Sequence, residues 1–258
     1  MLKYVEGFFQ YRGLLVELVS RDIKTRYRRS YLGILWTVLN PLLMMVVLTV
    51  VFSTLFVHSI HNFPVYFLSG RVLFDFFSQA TRDSTVAIVR NSSLITKIYI
   101  PKYIFPLSKV MSAFINVGFA MLALLAVMLA TGAPFFWTIL LFPIPLFYLL
   151  GFCIGLGLLL AAITVFFRDI EHLYGIFLTL LMYMTPLFYP VSILPERFLI
   201  MLQLNPLYHY VKMFRDVVYL GTLPSLESHL LCLSMAIIAL VLGGAVFYKL
   251  QDRFILHI

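Results

Sequence analysis

Apolar residues run through this chain in long unbroken stretches, interrupted by a few polar breaks. No Asp, Glu, Lys or Arg occurs from Ile34 to Gly70 or from Val110 to Phe167. A membrane-crossing helix needs about 20 apolar residues, so each stretch holds more than one crossing. His58, His61 and Asn62-Phe63-Pro64 divide the first; Thr131-Gly132-Ala133-Pro134 folds the second into a hairpin. The pattern predicts six membrane helices near 34–57, 63–89, 104–131, 136–166, 172–190 and 230–249. The expected fold class is an all-α polytopic membrane protein, a single transmembrane domain over 1–258.

Composition agrees. Hydrophobic residues make up 62% of the chain and charged residues 12%, against about 25% charged in soluble domains. An ordinary cytosolic enzyme, a disordered tail and a nucleic-acid-binding domain are excluded. The formal net charge of +8 is best read by position. Fifteen of the nineteen Lys and Arg residues fall on the face that carries both termini, which predicts cytoplasmic termini in the cytoplasmic (inner) membrane. Met1 to Arg12 lacks the apolar core and cleavage site of a signal peptide. Cys153 and Cys232 sit in apolar runs, so a disulfide framework is not expected.

Four segments depart from plain spans. Within 1–30, Leu15, Val19, Ile23 and Tyr27 recur every fourth residue, while Glu17, Arg21, Lys24 and Arg28 line the other face. This predicts an amphipathic helix in the headgroup layer. It serves either as a topology anchor or as the border of a lateral entrance for a lipid-linked substrate. Second, 90–101 mixes polar residues with Leu94 and Ile95, which need a partner surface to bury them. The segment reads as a short docking helix or as a solvated loop with a fortuitous apolar pair. Third, 191–228 is punctuated by Pro195, Pro206, Gly221 and Pro224 yet stays apolar in pieces too short to span, which predicts re-entrant helices capping the outer side. Lys212, Arg215 and Asp216 are expected there to face water or an exit. Fourth, Arg71 and Asp75 stand four residues apart in the second span, placed to pair on one helix face. They either lock that helix to a neighbour or line a polar pathway.

Aromatics, 16% of the chain, concentrate in spans one (Trp36, Phe52, Phe56) and five (Tyr174, Phe177, Tyr183, Phe188, Tyr189). Interfacial belts account for residues such as Trp36 and Tyr189, and aromatic faces also suit sugar rings. Gly151 and Gly155 fit close helix packing in span four. Catalytic signatures are missing: no Gly-Lys of a P-loop, no HExxH, no Cys/His cluster with metal spacing and no nucleophile elbow. No catalytic residue and no metal ligand is assigned, and energy for uphill transport would come from a partner subunit or an ion gradient.

Several runs resemble one family in order and spacing. Arg21-Asp22-Ile23-Lys24-Thr25-Arg26-Tyr27 leads into Tyr31-Leu32-Gly33-Ile34-Leu35-Trp36 and Asn40-Pro41. Asn91 to Pro101, Phe166-Phe167-Arg168-Asp169-Ile170, Asn205-Pro206-Leu207 and Phe214-Arg215-Asp216 follow. The whole is similar to the membrane subunits of type-2 ABC exporters for O-antigen, capsule and teichoic acid. That resemblance implies a homodimer of six-helix subunits, bound to two copies of a separate ATPase that supplies ATP and Mg chemistry; this chain itself holds no cofactor. It implies a coupling helix at Asn91, Ser92, Leu94, Ile95 and Lys97, and an interface helix carrying Arg21, Lys24 and Arg28 among membrane lipids. It also implies an aromatic channel for undecaprenyl-linked glycan, bordered by spans one and five through Trp36, Phe52, Phe56, Tyr174, Phe177, Tyr183 and Phe188. Arg71 and Asp75 depart from the family, whose members tend to be apolar there.

The function expected is a permease subunit exporting a lipid-linked polysaccharide. A type-2 permease for a small amphipathic drug or antibiotic is the related alternative. A membrane-embedded transferase on lipid-linked sugars would need a convergent His/Asp/Glu site, and an ion channel would need charge rings or pore carbonyls; neither pattern is visible.

Overall fold

The computed structural model describes residues 2–27 (side chains from 11 to 25), 33, 35–52, 60–98 and 100–257. Among them every regular element is helical. Helices α1 (Leu2–Tyr27) and α2 (Leu35–Phe52) precede α3 (Phe63–Thr85). Two single-turn helices, α4 (Ala87–Arg90) and α5 (Ser92–Ile95), lead to α6 (Ile104–Ala130). A 3-10 turn (Trp137–Leu141) enters α7 (Pro143–Phe166), followed by α8 (Ile170–Met184). Two short helices, α9 (Glu196–Gln203) and α10 (Pro206–Arg215), precede α11 (Leu226–Leu250) and a final 3-10 turn (Gln251–Leu256).

Local chemistry sets these boundaries. The Asn62 side chain accepts from the Val65 N–H at 3.3 Å, with a proline in the first turn of α3. Gly132 turns the α6–α7 hairpin at φ 64°. Thr185 ends α8 in an extended conformation (φ −90°, ψ 130°) because Pro186 follows. The fifth membrane helix therefore stops at Met184, and residues 185–190, expected as its last turns, are not helical.

Four helical segments are long and apolar enough to cross a membrane: Leu35–Phe52, Ile104–Ala130, Trp137–Phe166 and Leu226–Leu256. The other two expected spans are helices of different character. Helix α8 has 15 residues, about 22 Å at 1.5 Å per residue, against a hydrocarbon core of about 30 Å. Helix α3 is enclosed by the rest of the bundle along most of its length, so neighbouring helices rather than lipid form its surroundings and its polar residues are tolerated.

Two apolar clusters hold the bundle. The larger gathers Phe67, Leu73 and Phe77 of α3 with Leu149, Tyr210 and Phe214. The smaller lies at the end bearing the termini, where Leu18, Ile88, Ile95, Phe105, Phe247 and Phe254 meet. Helices α7 and α11 make the most extensive pairing. A Cβ on Gly155 would overlap the Ala239 backbone, and one on Gly243 would overlap the Gly155 carbonyl. The small-residue pattern of α7 thus brings two backbones together. Gly151, its other member, leaves ordinary contact distance to Ala236 at 3.5 Å.

Candidate functional site

Three regions carry the candidate residues. At the termini end, α1 docks through Leu18 onto the smaller cluster and also buries Val19, leaving Arg21 and Lys24 exposed. The apolar stripe of α1 is therefore satisfied within the chain as far as the described residues extend, and Arg28 lies outside them. Asp22 anchors the helix: Lys109 of α6 donates to its carboxylate at 2.7 Å, and Arg21 stands 3.7 Å from it. Sequence reading missed Asp22, although an acid beside a basic run was the available signal.

The segment expected to couple to a partner behaves differently from expectation. Ile95 is 6% exposed and finds its cover inside this chain, while Leu94 packs partly against the same cluster and stays half-buried. Asn91 is structural too, its amide donating to the Ala87 carbonyl at 2.8 Å. Ser92 is half-buried, and Ser93, Thr96, Lys97 and Ile98 face outward, with Ile98 54% exposed. Arg90 reaches Glu171 at the start of α8 at 3.2 Å, tying this segment to the fifth helix.

At the opposite end, Phe52, Tyr183 and Phe188 come together. Phe188 lies 6.2 Å from Phe52 and 6.4 Å from Tyr183 between ring centroids. Tyr174 leaves this group: it is buried and donates to the Thr81 hydroxyl at 2.7 Å. Phe177 stacks on it at 5.9 Å and stays exposed. Trp36, at the far end of α2, stands apart from the cluster, and Phe56 lies outside the described residues.

Arg215 corrects an expectation. Rather than facing water, it is 7% exposed and its guanidinium sits 3.6 Å over the Tyr66 ring. It donates to the carbonyls of Pro186 at 2.7 Å and Tyr66 at 3.0 Å. It thereby ties α10 to α3 and to the extended segment after α8. Asn205 adds a second tie, capping α10 at Leu207 and donating to Thr185 at 2.9 Å. Lys212 is exposed as expected. Burial pushes the Asp216 carboxyl above its ordinary pKa, against the opposing pull of Lys212.

Arg71 and Asp75 do pair, Nε to Oδ2 at 2.9 Å, with their side chains 19% and 45% exposed. They line a polar cavity of about 510 Å³ between α2, α3 and α6, together with Trp36, Asn40, Gln79 and Asn116. A second cavity of about 500 Å³ shares Asp83 and Asn116 with the first and continues to Asp22, Arg90 and Lys109. No group of His, Cys, Asp or Glu able to hold a metal occurs among the described residues.

Comparison with known proteins places this geometry. Over 256 residues, 98% of both chains, the sequence is 33% identical to the O-antigen export system permease protein RfbA of Myxococcus xanthus. It is 28% identical over 257 residues to the Klebsiella pneumoniae protein of the same name, covering 98% of this chain and 97% of that one. The polysialic acid transport protein KpsM of Escherichia coli is 25% identical over 253 residues, 95% of this chain and 96% of its own. Residues 14–219 match the ABC-2 type transporter family, which takes in all but the start of α1 and the last membrane helix. The chain is a member of the ABC-2 type transporter family.

Proposed function

We propose that this chain is the permease subunit of an ATP-driven exporter that moves a lipid-linked polysaccharide, an O-antigen or capsular glycan, across the cytoplasmic membrane. The observation that carries the reading is the end-to-end match to an O-antigen export permease, 98% of each chain. The aromatic cluster of Phe52, Tyr183 and Phe188 supports it, since flat apolar faces let sugar rings slide without fixed hydrogen bonds. ATP is hydrolysed in a separate ATPase subunit, two copies to a permease homodimer, with Mg held there. Both termini are cytoplasmic, because the basic end is the end of α1, α4 and α5. The ATPase contacts that end through the outward residues of the 91–98 segment, and α9 and α10 form the re-entrant cap on the other side.

A strain lacking the permease should lose surface polysaccharide and accumulate lipid-linked glycan on the cytoplasmic face of the membrane, and the purified permease should bring an ATPase with it. Unchanged surface polysaccharide in the deletion strain would remove the proposal. The small-amphiphile permease predicts the opposite pair of results: normal surface polymer and a gain in drug sensitivity.

A further inference from the structure

The polar groups of α3 form a longer stripe than its one ion pair. Arg71, Asp75, Gln79 and Arg82 recur at intervals of four, four and three, one helix face over about 16 Å at 1.5 Å per residue. That face is only partly covered within the chain, with Arg82 exposed. It opens into the cavity of about 510 Å³ whose other walls are α2 and α6. Two polar atoms at this cavity, Gln79 Nε2 and Asn116 Oδ1, are buried with no hydrogen-bond partner among the described residues. A buried donor and a buried acceptor left unmatched are costly, and turning either amide toward a polar occupant of the cavity would match it.

We infer that this cavity is a sugar subsite, holding one or two pyranose units of the exported glycan within a single subunit, behind α2; the inference rests on the exporter reading. The lining argues for hydroxyls over a charged headgroup. Its two cations, Arg71 and Arg82, are balanced by two anions, Asp75 and Asp83, so the wall is neutral in sum and rich in both donors and acceptors. A phosphate site would carry an excess of cations. Asp75 accepts from a pair of adjacent hydroxyls, the Gln79 and Asn116 amides, once turned into the cavity, match one acceptor and one donor, and the Trp36 indole offers a flat face to a ring. The volume lies in the range of small-ligand sites. The adjoining cavity, which shares Asp83 and Asn116, carries the same polar lining to Arg90 and Lys109 at the termini end.

Two independent measurements test the site in the intact exporter. With Ala120→p-benzoylphenylalanine on the cavity wall, irradiation of cells making the polymer should yield permease adducts that react with antiserum to the surface polysaccharide. These adducts should vanish when glycan synthesis is blocked, and the same photoreactive residue at Ile238, on the outer face of α11, should give none. Separately, Gln79→Leu and Asn116→Leu should each slow polymer export about tenfold with no fall in Tm, because apolar groups of similar shape replace unmatched buried amides at little cost to the fold. Glycan adducts at Phe52→p-benzoylphenylalanine with none at Ala120 would overturn the subsite while leaving the exporter reading intact. So would Leu variants that export within twofold of the parent, or whose Tm falls in step with export. Full surface polymer in the deletion strain would instead strike the exporter reading itself.

Discussion

A single side chain can decide whether the cap between α8 and α11 stays in place, and Arg215 is that side chain. Its partners are the carbonyls of Pro186 and Tyr66 and the ring of Tyr66, all contributed from more than 25 residues away. Removing the guanidinium takes away two charge-assisted hydrogen bonds and the stack on the Tyr66 ring at once. Arg215→Met is therefore expected to cost about 3 kcal/mol, taking hydrogen bonds to a charged donor at about 1.5 kcal/mol or more each, read as a lower Tm in detergent. Lys212→Met, one turn earlier and exposed, should stay within about 0.5 kcal/mol of the parent. The sequence around Arg215 looks like a solvated charge cluster, Lys212, Arg215 and Asp216. Nothing local distinguishes the buried member, because the oxygens that receive it belong to α3 and to the segment after α8.

At the level of elements, the α7–α11 crossing and the 91–98 segment make contrasting demands. Gly243 meets the Gly155 carbonyl, whereas nothing lies within 4 Å of a Cβ on Gly244. Gly243→Ala should push the two helices apart and cost several kcal/mol, on the order of an overpacked core, seen as loss of monodisperse protein in size-exclusion chromatography. Gly244→Ala should behave as the parent. In the 91–98 segment, Ile95→Asp places a charge in the smaller cluster and should abolish accumulation of folded protein. Ile98→Asp should leave Tm unchanged while weakening ATPase copurification and export. Parent-like ATPase recovery and export from Ile98→Asp would clear the segment of any coupling role.

These contrasts show where the sequence was readable. Helix positions followed from charge-free runs and from breakers such as Asn62-Phe63-Pro64 and Thr131-Gly132, since both act locally. The burial of Ile95 did not, because Leu18 and Phe254, which share its cluster, arrive from distant elements. The stripe on α3 was only half visible: Arg71 and Asp75 stand out by charge, while Gln79, an uncharged residue one turn on, passes unnoticed without the cavity it borders.

For the whole molecule, the distribution of exposed apolar surface separates two kinds of neighbour. Helix α11 exposes an aliphatic face of Leu230, Leu233, Ile237, Ile238, Val241 and Leu242, suited to lipid. Helix α8 exposes Phe177 and Tyr183 among its aliphatic residues, and α2 buries no residue at all within the subunit. A 15-residue helix cannot match the hydrocarbon thickness alone, and a second subunit against α2 and α8 would shield its short ends from lipid. The homodimer proposed above would then join through these two helices, with the Phe52, Tyr183 and Phe188 cluster beside the seam. With Cys153 and Cys232 both buried, single exposed cysteines can report that seam. In native membranes Phe177→Cys should form a disulfide-linked dimer on mild oxidation if α8 of each subunit packs beside that seam. Ile238→Cys should remain monomeric under the same treatment. The reverse result would move the seam to α11, put α8 against lipid and take the aromatic cluster off the path between subunits.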